Sequence, residues 1–131
     1  MDFTGFTSVT GINMQNLLEQ FESYRAKMNT RILSEDNQAV KRFFGVDTLT
    51  YQDGALDRKT KEMLGLAASL VLRCDDCIKY HVLECHKLGV TVKEFFEIFS
   101  VGLVVGGSIV IPHMRRAVEF LDELEQHNKT V

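Results

Sequence analysis

Apolar residues recur along this chain with a helical period. From about Asn13 to Ile32 they fall at Met14, Leu17, Leu18, Phe21, Tyr24 and Met28, the i, i+3, i+4, i+7 stripe of an amphipathic helix. Ser34 is placed to cap a second, shorter helix reaching Phe43–Phe44, with Gly45 as its stop. Asp47 to Gly54 reads as a connector. A third helix begins near Leu56–Asp57, with Asp57 as N-cap or first-turn acid. It is polar through Glu62 and then almost entirely apolar from Met63 to Leu72, and a helix apolar all round belongs at the centre of a domain. Gly65, Ala67 and Ala68 allow neighbours to approach it closely.

Arg73 to Asp76 interrupts that run. Either the helix bends there, or it stops and Asp75 and Asp76 start the next one. Gly89 is a C-terminal stop for helix four, and Thr91 with Glu94 forms the capping-box pattern that opens helix five. Helix five carries Phe95, Phe96, Ile98, Phe99, Val101 and Leu103–Val105 and reaches Gly106–Gly107. The apolar span from Phe95 to Ile111 contains Glu97, ends at Pro112 and falls short of the ~20 clean apolar residues of a membrane helix. It reads as a buried core helix or an oligomer interface. Pro112 suits the first turn of helix six, where Met114, Ala117, Val118, Leu121 and Leu124 keep the stripe. Residues 1–12 show no period and read as a loose lead-in. The pattern predicts an all-α fold of about six helices in one domain over residues 1–131.

Composition narrows the class. A hydrophobic share of 45% and a charged share of 25% are ordinary for a soluble globular protein. The net charge of −3, with no Lys/Arg cluster, offers no footprint for nucleic acid. The N-terminus lacks a basic region followed by an apolar one, so no signal peptide is read, and no membrane association is expected. Three cysteines, two of them close together, do not form a secreted disulfide framework, and the expected compartment is the cytoplasm.

The chemistry gathers at Arg73-Cys74-Asp75-Asp76-Cys77-Ile78-Lys79-Tyr80-His81. At about 100° per helical residue, Cys74, Cys77, His81 and Cys85 fall within one apolar stripe, while Lys79, His86 and Lys87 point away. The wheel turns the thiols and the imidazole toward a core or interface. An i, i+3 cysteine pair has Cα atoms about 5 Å apart, within disulfide range. Cys77 and His81 are i, i+4 neighbours, near enough for the imidazole to take the thiol proton directly or through a water. Thiolate is the nucleophile, so a neighbouring base raises reactivity, whereas Asp75 and Asp76 oppose it.

Two other readings stand beside this one. A metal could use Cys74, Cys77 and His81 with an acid from elsewhere. Completing that site with Cys85 on one straight helix fails, because Cys85 lies about 16 Å further along the axis. Alternatively the groups are core filler, the reading adopted for Cys85. His86 is expected to face solvent and His127 to lie in the tail; His113, beside Pro112, is a weaker candidate for lining a pocket. By position alone, Glu62 reads as an ordinary first-turn acid.

The stretch from Asp57 to His81 resembles the carboxymuconolactone decarboxylase-like superfamily, and within it the alkyl hydroperoxidase D branch. That branch carries a Glu, eleven residues, Cys-x-x-Cys, three residues, then His; here these are Glu62, Cys74, Cys77 and His81. Gly89–Glu94 and Gly106–Gly107 also fit, and the likeness covers about residues 50–125. The resemblance implies an all-helical homo-oligomer in which Cys77 attacks, Cys74 resolves, and Glu62 and His81 relay the proton. The peroxidase member has a His just before its second cysteine where this chain has Asp76, which removes one relay member and makes the site more acidic. The decarboxylase branch lacks the cysteine pair, so the lactone reaction is not inferred.

The expected function is a thiol–disulfide oxidoreductase, of antioxidant peroxidase type, without cofactor or metal. Its partners would be a hydroperoxide or disulfide substrate and a thiol reductant. The alternatives are a protein disulfide reductase or redox sensor with little peroxide turnover, and a non-enzymatic metal-binding protein.

Overall fold

A computed structural model describes residues 16–129, so the lead-in read over 1–12 and the helix start predicted at Asn13 lie outside the described residues. Six helices follow in order: α1 (Leu17–Ser34), α2 (Gln38–Thr50), α3 (Arg58–Leu72), α4 (Asp75–Lys87), α5 (Val92–Gly106) and α6 (Ile111–Lys129). A 3-10 turn, Ser108–Val110, leads into α6. Among the described residues there is no strand, and the fold is all-α as the periodicity predicts. None of these helices is long and apolar enough to cross a membrane.

Each helix end has a local cause. Asn16 caps α1 by accepting the Glu19 N–H at 2.8 Å. The Glu123 carboxylate of α6 accepts from the Leu17 and Leu18 N–H groups at 3.0 and 2.8 Å. A carboxylate on the positive end of a helix is favourable, and this one pins α1 to an element more than a hundred residues away. Phe21 packs edge-on against Phe120 at 5.9 Å, continuing the same contact. Asp57 caps α3, Thr91 and Glu94 form the capping box of α5, and Gly89 takes φ 85° after α4, all at the predicted places.

The second helix departs from its prediction. Its cap is Asn37, whose side chain accepts from the Val40 N–H, while Ser34 is the last residue of α1. The chain turns at Asp36, which adopts φ 58°. Gly45 stands inside α2, and Asp47 to Thr50, read as connector, are helical. A mid-helix glycine costs only about 1 kcal/mol relative to alanine, too little to end a helix by itself. No residue of α2 is buried, and Phe43, Val46 and Leu49 are exposed, Phe43 by 74%.

The core lies among α3, α4, α5 and α6. Leu66 and Leu70 meet Ile78, Val82, Phe95, Phe99, Val110, Ala117, Phe120, Leu121 and Leu124 there. Gly102 lets α5 close on α3, since a Cβ there would lie 3.3 Å from Leu70. Centrality holds for only one face of α3: Leu64 and Leu72 are exposed, Leu72 by 76%. Val101, Val104 and Val105 of α5 are likewise exposed. Within one chain the neighbouring helices cover a single side of each element.

Phe120 has no exposure and joins α6 to α1 as well as to the core. Phe120→Ala is expected to lower unfolding free energy by about 3–5 kcal/mol, read from a urea titration. A loss under about 1 kcal/mol would contradict this packing.

Candidate active site

The site is built on the turn between α3 and α4. Arg73 adopts the left-handed conformation at φ 58°, its N–H bonding to the Leu70 carbonyl at 3.0 Å, while the Cys74 N–H reaches back to Ser69 at 3.1 Å. This paired pattern is a Schellman stop, made here without glycine. The interruption seen in the sequence is therefore a stop followed by a new start. Cys74 is the N-cap of α4, and its Sγ accepts from the Cys77 N–H at 3.3 Å.

Cys74 and Cys77 are joined by a disulfide, with Cα atoms 5.2 Å apart. The wheel anticipated that separation but misplaced the sulfurs. Cys74 lies just outside the helix, and Cys77 is exposed. In the first turn α6 engages Asp75, while Cys77 points the other way, onto an open cavity that no helix fills. Only from Ile78 onward does the stripe become core, and His81, Val82 and Cys85 are buried.

His81 meets Glu62, with Nδ1 2.7 Å from Oε2. A carboxylate only accepts, so Nδ1 carries the proton and donates it, leaving Nε2 as the basic ring nitrogen. Glu62 has no exposure at all, contrary to its reading as a first-turn acid. It lies in register with Leu66, Ser69 and Leu70, also buried, and that i, i+4, i+7, i+8 spacing is the signal that could have located it. Its Oε1 has no hydrogen-bond partner among the described residues. Leaving a buried acceptor unpaired costs about 1–3 kcal/mol, more for a charged group, so packing alone does not account for this carboxylate. Tyr51 and Tyr80 flank the imidazole, ring centroids 5.5 and 5.1 Å away. Burial and then the Glu62 charge push both phenols above their ordinary range.

Cys77 and His81 both line a cavity of about 640 Å³ between α1 and α4. Phe21, Tyr24 and Met28 of α1 form its apolar side, and Asp76 and Lys79 border it from α4. Arg25 lies over the Tyr80 ring at 4.3 Å, a cation–π contact on the same wall. The sequence reading missed this wall because the stripe of α1 looked like ordinary core.

The remaining candidates separate clearly. Burial, followed by the Glu62 charge, pushes the Cys85 thiol up to about 12, which fits filler. His86 does not face solvent as predicted; it bonds Glu125 of α6 at 3.2 Å, because α6 runs alongside that face of α4. His113 bonds Asp75 at 2.8 Å instead of lining the cavity. No group of three or more His, Cys, Asp or Glu side chains that could hold a metal ion occurs among the described residues.

A helical bundle carrying a Cys-x-x-Cys disulfide at a helix start, with a buried Glu–His pair behind it, defines a redox-type site. The chain belongs to the carboxymuconolactone decarboxylase family, whose model matches residues 37–120. Two crystal structures of a Thermotoga maritima protein superpose with TM-scores of 0.84 and 0.81 at 50% identity, covering 86% and 85% of this chain and 99% and 94% of that one. That protein is described as a member of the same family with a suggested involvement in antioxidative response. A family member from Legionella pneumophila gives a TM-score of 0.66 at 26% identity, over 80% of this chain and 96% of that one. An uncharacterized protein of the cox locus of Paracoccus denitrificans is 29% identical over 83 residues, 63% of this chain and 75% of that protein.

Gly65 gives this geometry a direct test. A Cβ there would lie 2.6 Å from His81 Cε1 and 2.9 Å from both ring nitrogens. Glycine to alanine inside a helix ordinarily stabilises by about 0.5–1 kcal/mol. Gly65→Ala is expected to destabilise by about 1–3 kcal/mol, as over-packed cores do, in a thermal or urea melt. A stabilised variant would show that the ring does not sit against α3.

Proposed function

We propose that this protein is a thiol–disulfide oxidoreductase of the alkyl hydroperoxidase D type, reducing hydroperoxides through Cys77 and Cys74. The observation that carries the reading is an exposed Cys77, bonded to Cys74, on a cavity shared with an imidazole that Glu62 holds from behind. In the reduced protein, His81 Nε2 takes the Cys77 proton. The thiolate attacks the terminal oxygen of ROOH: an S–O bond forms, the O–O bond breaks, and the alkoxide leaves as ROH with the proton from His81. The Cys74 thiol then attacks the Cys77 sulfenic acid, the S–S bond closes, and water departs with the Cys74 proton. A dithiol donor returns two electrons and two protons by exchange through a mixed disulfide.

A second reading rests on Asp76. It stands beside Cys77 on the cavity, where a negative charge opposes thiolate formation. Both reactions need the thiolate, but peroxide cleavage also needs a proton for a strongly basic alkoxide, and Asp76 stands where the peroxidase branch has a further relay histidine. Exchange, which expels a thiolate, suffers less from that loss. Both readings use the same pair, and their relative rates separate them.

Thiol counting after one equivalent of cumene hydroperoxide tests the first reading. Two of three thiols should disappear into a Cys74–Cys77 bridge, with Cys85 titrating only after denaturation. His81→Ala and Glu62→Gln should each slow the reaction roughly 100-fold. A Cys77→Ser chain that consumes peroxide as fast as the native one sinks the assignment. Negligible peroxide consumption with rapid disulfide exchange would favour the second reading.

We also propose that the chain assembles as a homo-oligomer, on the basis of the large apolar residues exposed on α2, α3 and α5. Light scattering should return a multiple of the 14.9 kDa chain mass, and Phe43→Glu should lower it. A native mass of one chain at micromolar concentration would refute assembly.

A further inference from the structure

Two acids stand between the cysteines, and the structure treats them differently. Asp76 lines the cavity and makes no ion pair among the described residues. Asp75, the first residue of α4, has both carboxylate oxygens engaged by α6: Oδ1 lies 2.8 Å from His113 Nδ1, and Oδ2 accepts from Arg116 Nε at 3.1 Å. Arg116 Nη2 also comes within 3.2 Å of His113 Nδ1. That nitrogen cannot donate to the carboxylate and accept from the guanidinium at once. The shorter, charge-assisted bond to Asp75 decides, so Nδ1 is the donor.

The placement on α6 is unusual. This helix has no acid in its first turn, and His113, Arg115 and Arg116 crowd its N-terminal end instead. Cations there meet the positive end of the helix dipole, so α6 gains nothing from them locally. Asp75 supplies the missing negative charge from another element. With Asp75 38% and Arg116 50% exposed, the pair contributes little to stability.

We propose that Asp75, His113 and Arg116 form a counter-charge clamp that tunes the Cys74–Cys77 couple, the three acting as positioning residues. Left alone, the Asp75 carboxylate would compete with a thiolate for the positive end of α4 and oppose it by like charge. Held by α6, it is compensated, and the first turn stays able to stabilise the thiolate of the reduced pair. Partial burial pushes the Asp75 carboxyl up, but the bonds from His113 and Arg116 and their charge outweigh it and hold it below the ordinary range. Stabilising thiolate favours the reduced form, so the clamp makes the pair easier to reduce. The inference rests on the redox reading of the site.

The test is a redox titration of the full chain against dithiothreitol at pH 7, with thiol mapping. Arg116→Met should shift the equilibrium toward disulfide, by three- to tenfold, tenfold being about 30 mV for a two-electron couple. Asp75→Asn should shift it the opposite way, because the acid that opposes the thiolate is gone while Arg116 keeps its charge at that end of α4. The double variant should return close to native, and Arg116→Lys should stay near native. Lost packing alone would not move the two single variants in opposite directions. Equal constants, shifts of the same sign, or a double variant as displaced as Arg116→Met would each overturn the clamp, as would an Arg116→Met chain that fails to fold. A native pair that dithiothreitol cannot cycle would overturn the redox reading itself, and the clamp with it.

Discussion

A carboxylate wholly out of water must be answered by a partner, and Glu62 is answered by His81. That bond ties the first half of α3 to the middle of α4, and much of the site depends on it. It sets the ring orientation and the tautomer. It requires Gly65 opposite the ring, since any side chain there would occupy the same space. Tyr51 and Tyr80 flank the imidazole, their phenols pushed up by burial and then by the same negative charge.

The turn at Arg73 is the second determinant. Stopping α3 with a left-handed residue and starting α4 two residues later puts Cys74 at an N-cap and Cys77 in the first turn, with Sγ of one receiving the N–H of the other. A helix start concentrates unpaired N–H groups and positive dipole, which is where sulfur chemistry is easiest. The exposed first turn and the buried second turn of α4 then divide the labour. Cys77 faces a cavity, while the imidazole one turn later sits with the core.

Helices were legible wherever a stripe and a cap coincided: Asp57, Thr91 with Glu94, Gly89 and Pro112 each act locally, and local rules found them. Gly45 misled because a glycine permits a stop without enforcing one, and α2 runs on through it to Thr50. Cys77 misled for a related reason. A wheel assigns a face but does not say which neighbouring helix closes on it and which stands off across a cavity.

The sequence by itself determined the helix count, the cysteine spacing and the i, i+4 placement of His81 after Cys77, because these depend on rise and rotation per residue. It carried Glu62 into the site only through resemblance to a known family. Tertiary structure alone decided that Glu62 is buried against His81, that α1 walls the cavity, and that α6 reaches across to Asp75. Those relations join residues from 19 to about 60 positions apart, and no periodicity along one helix encodes the distance between two.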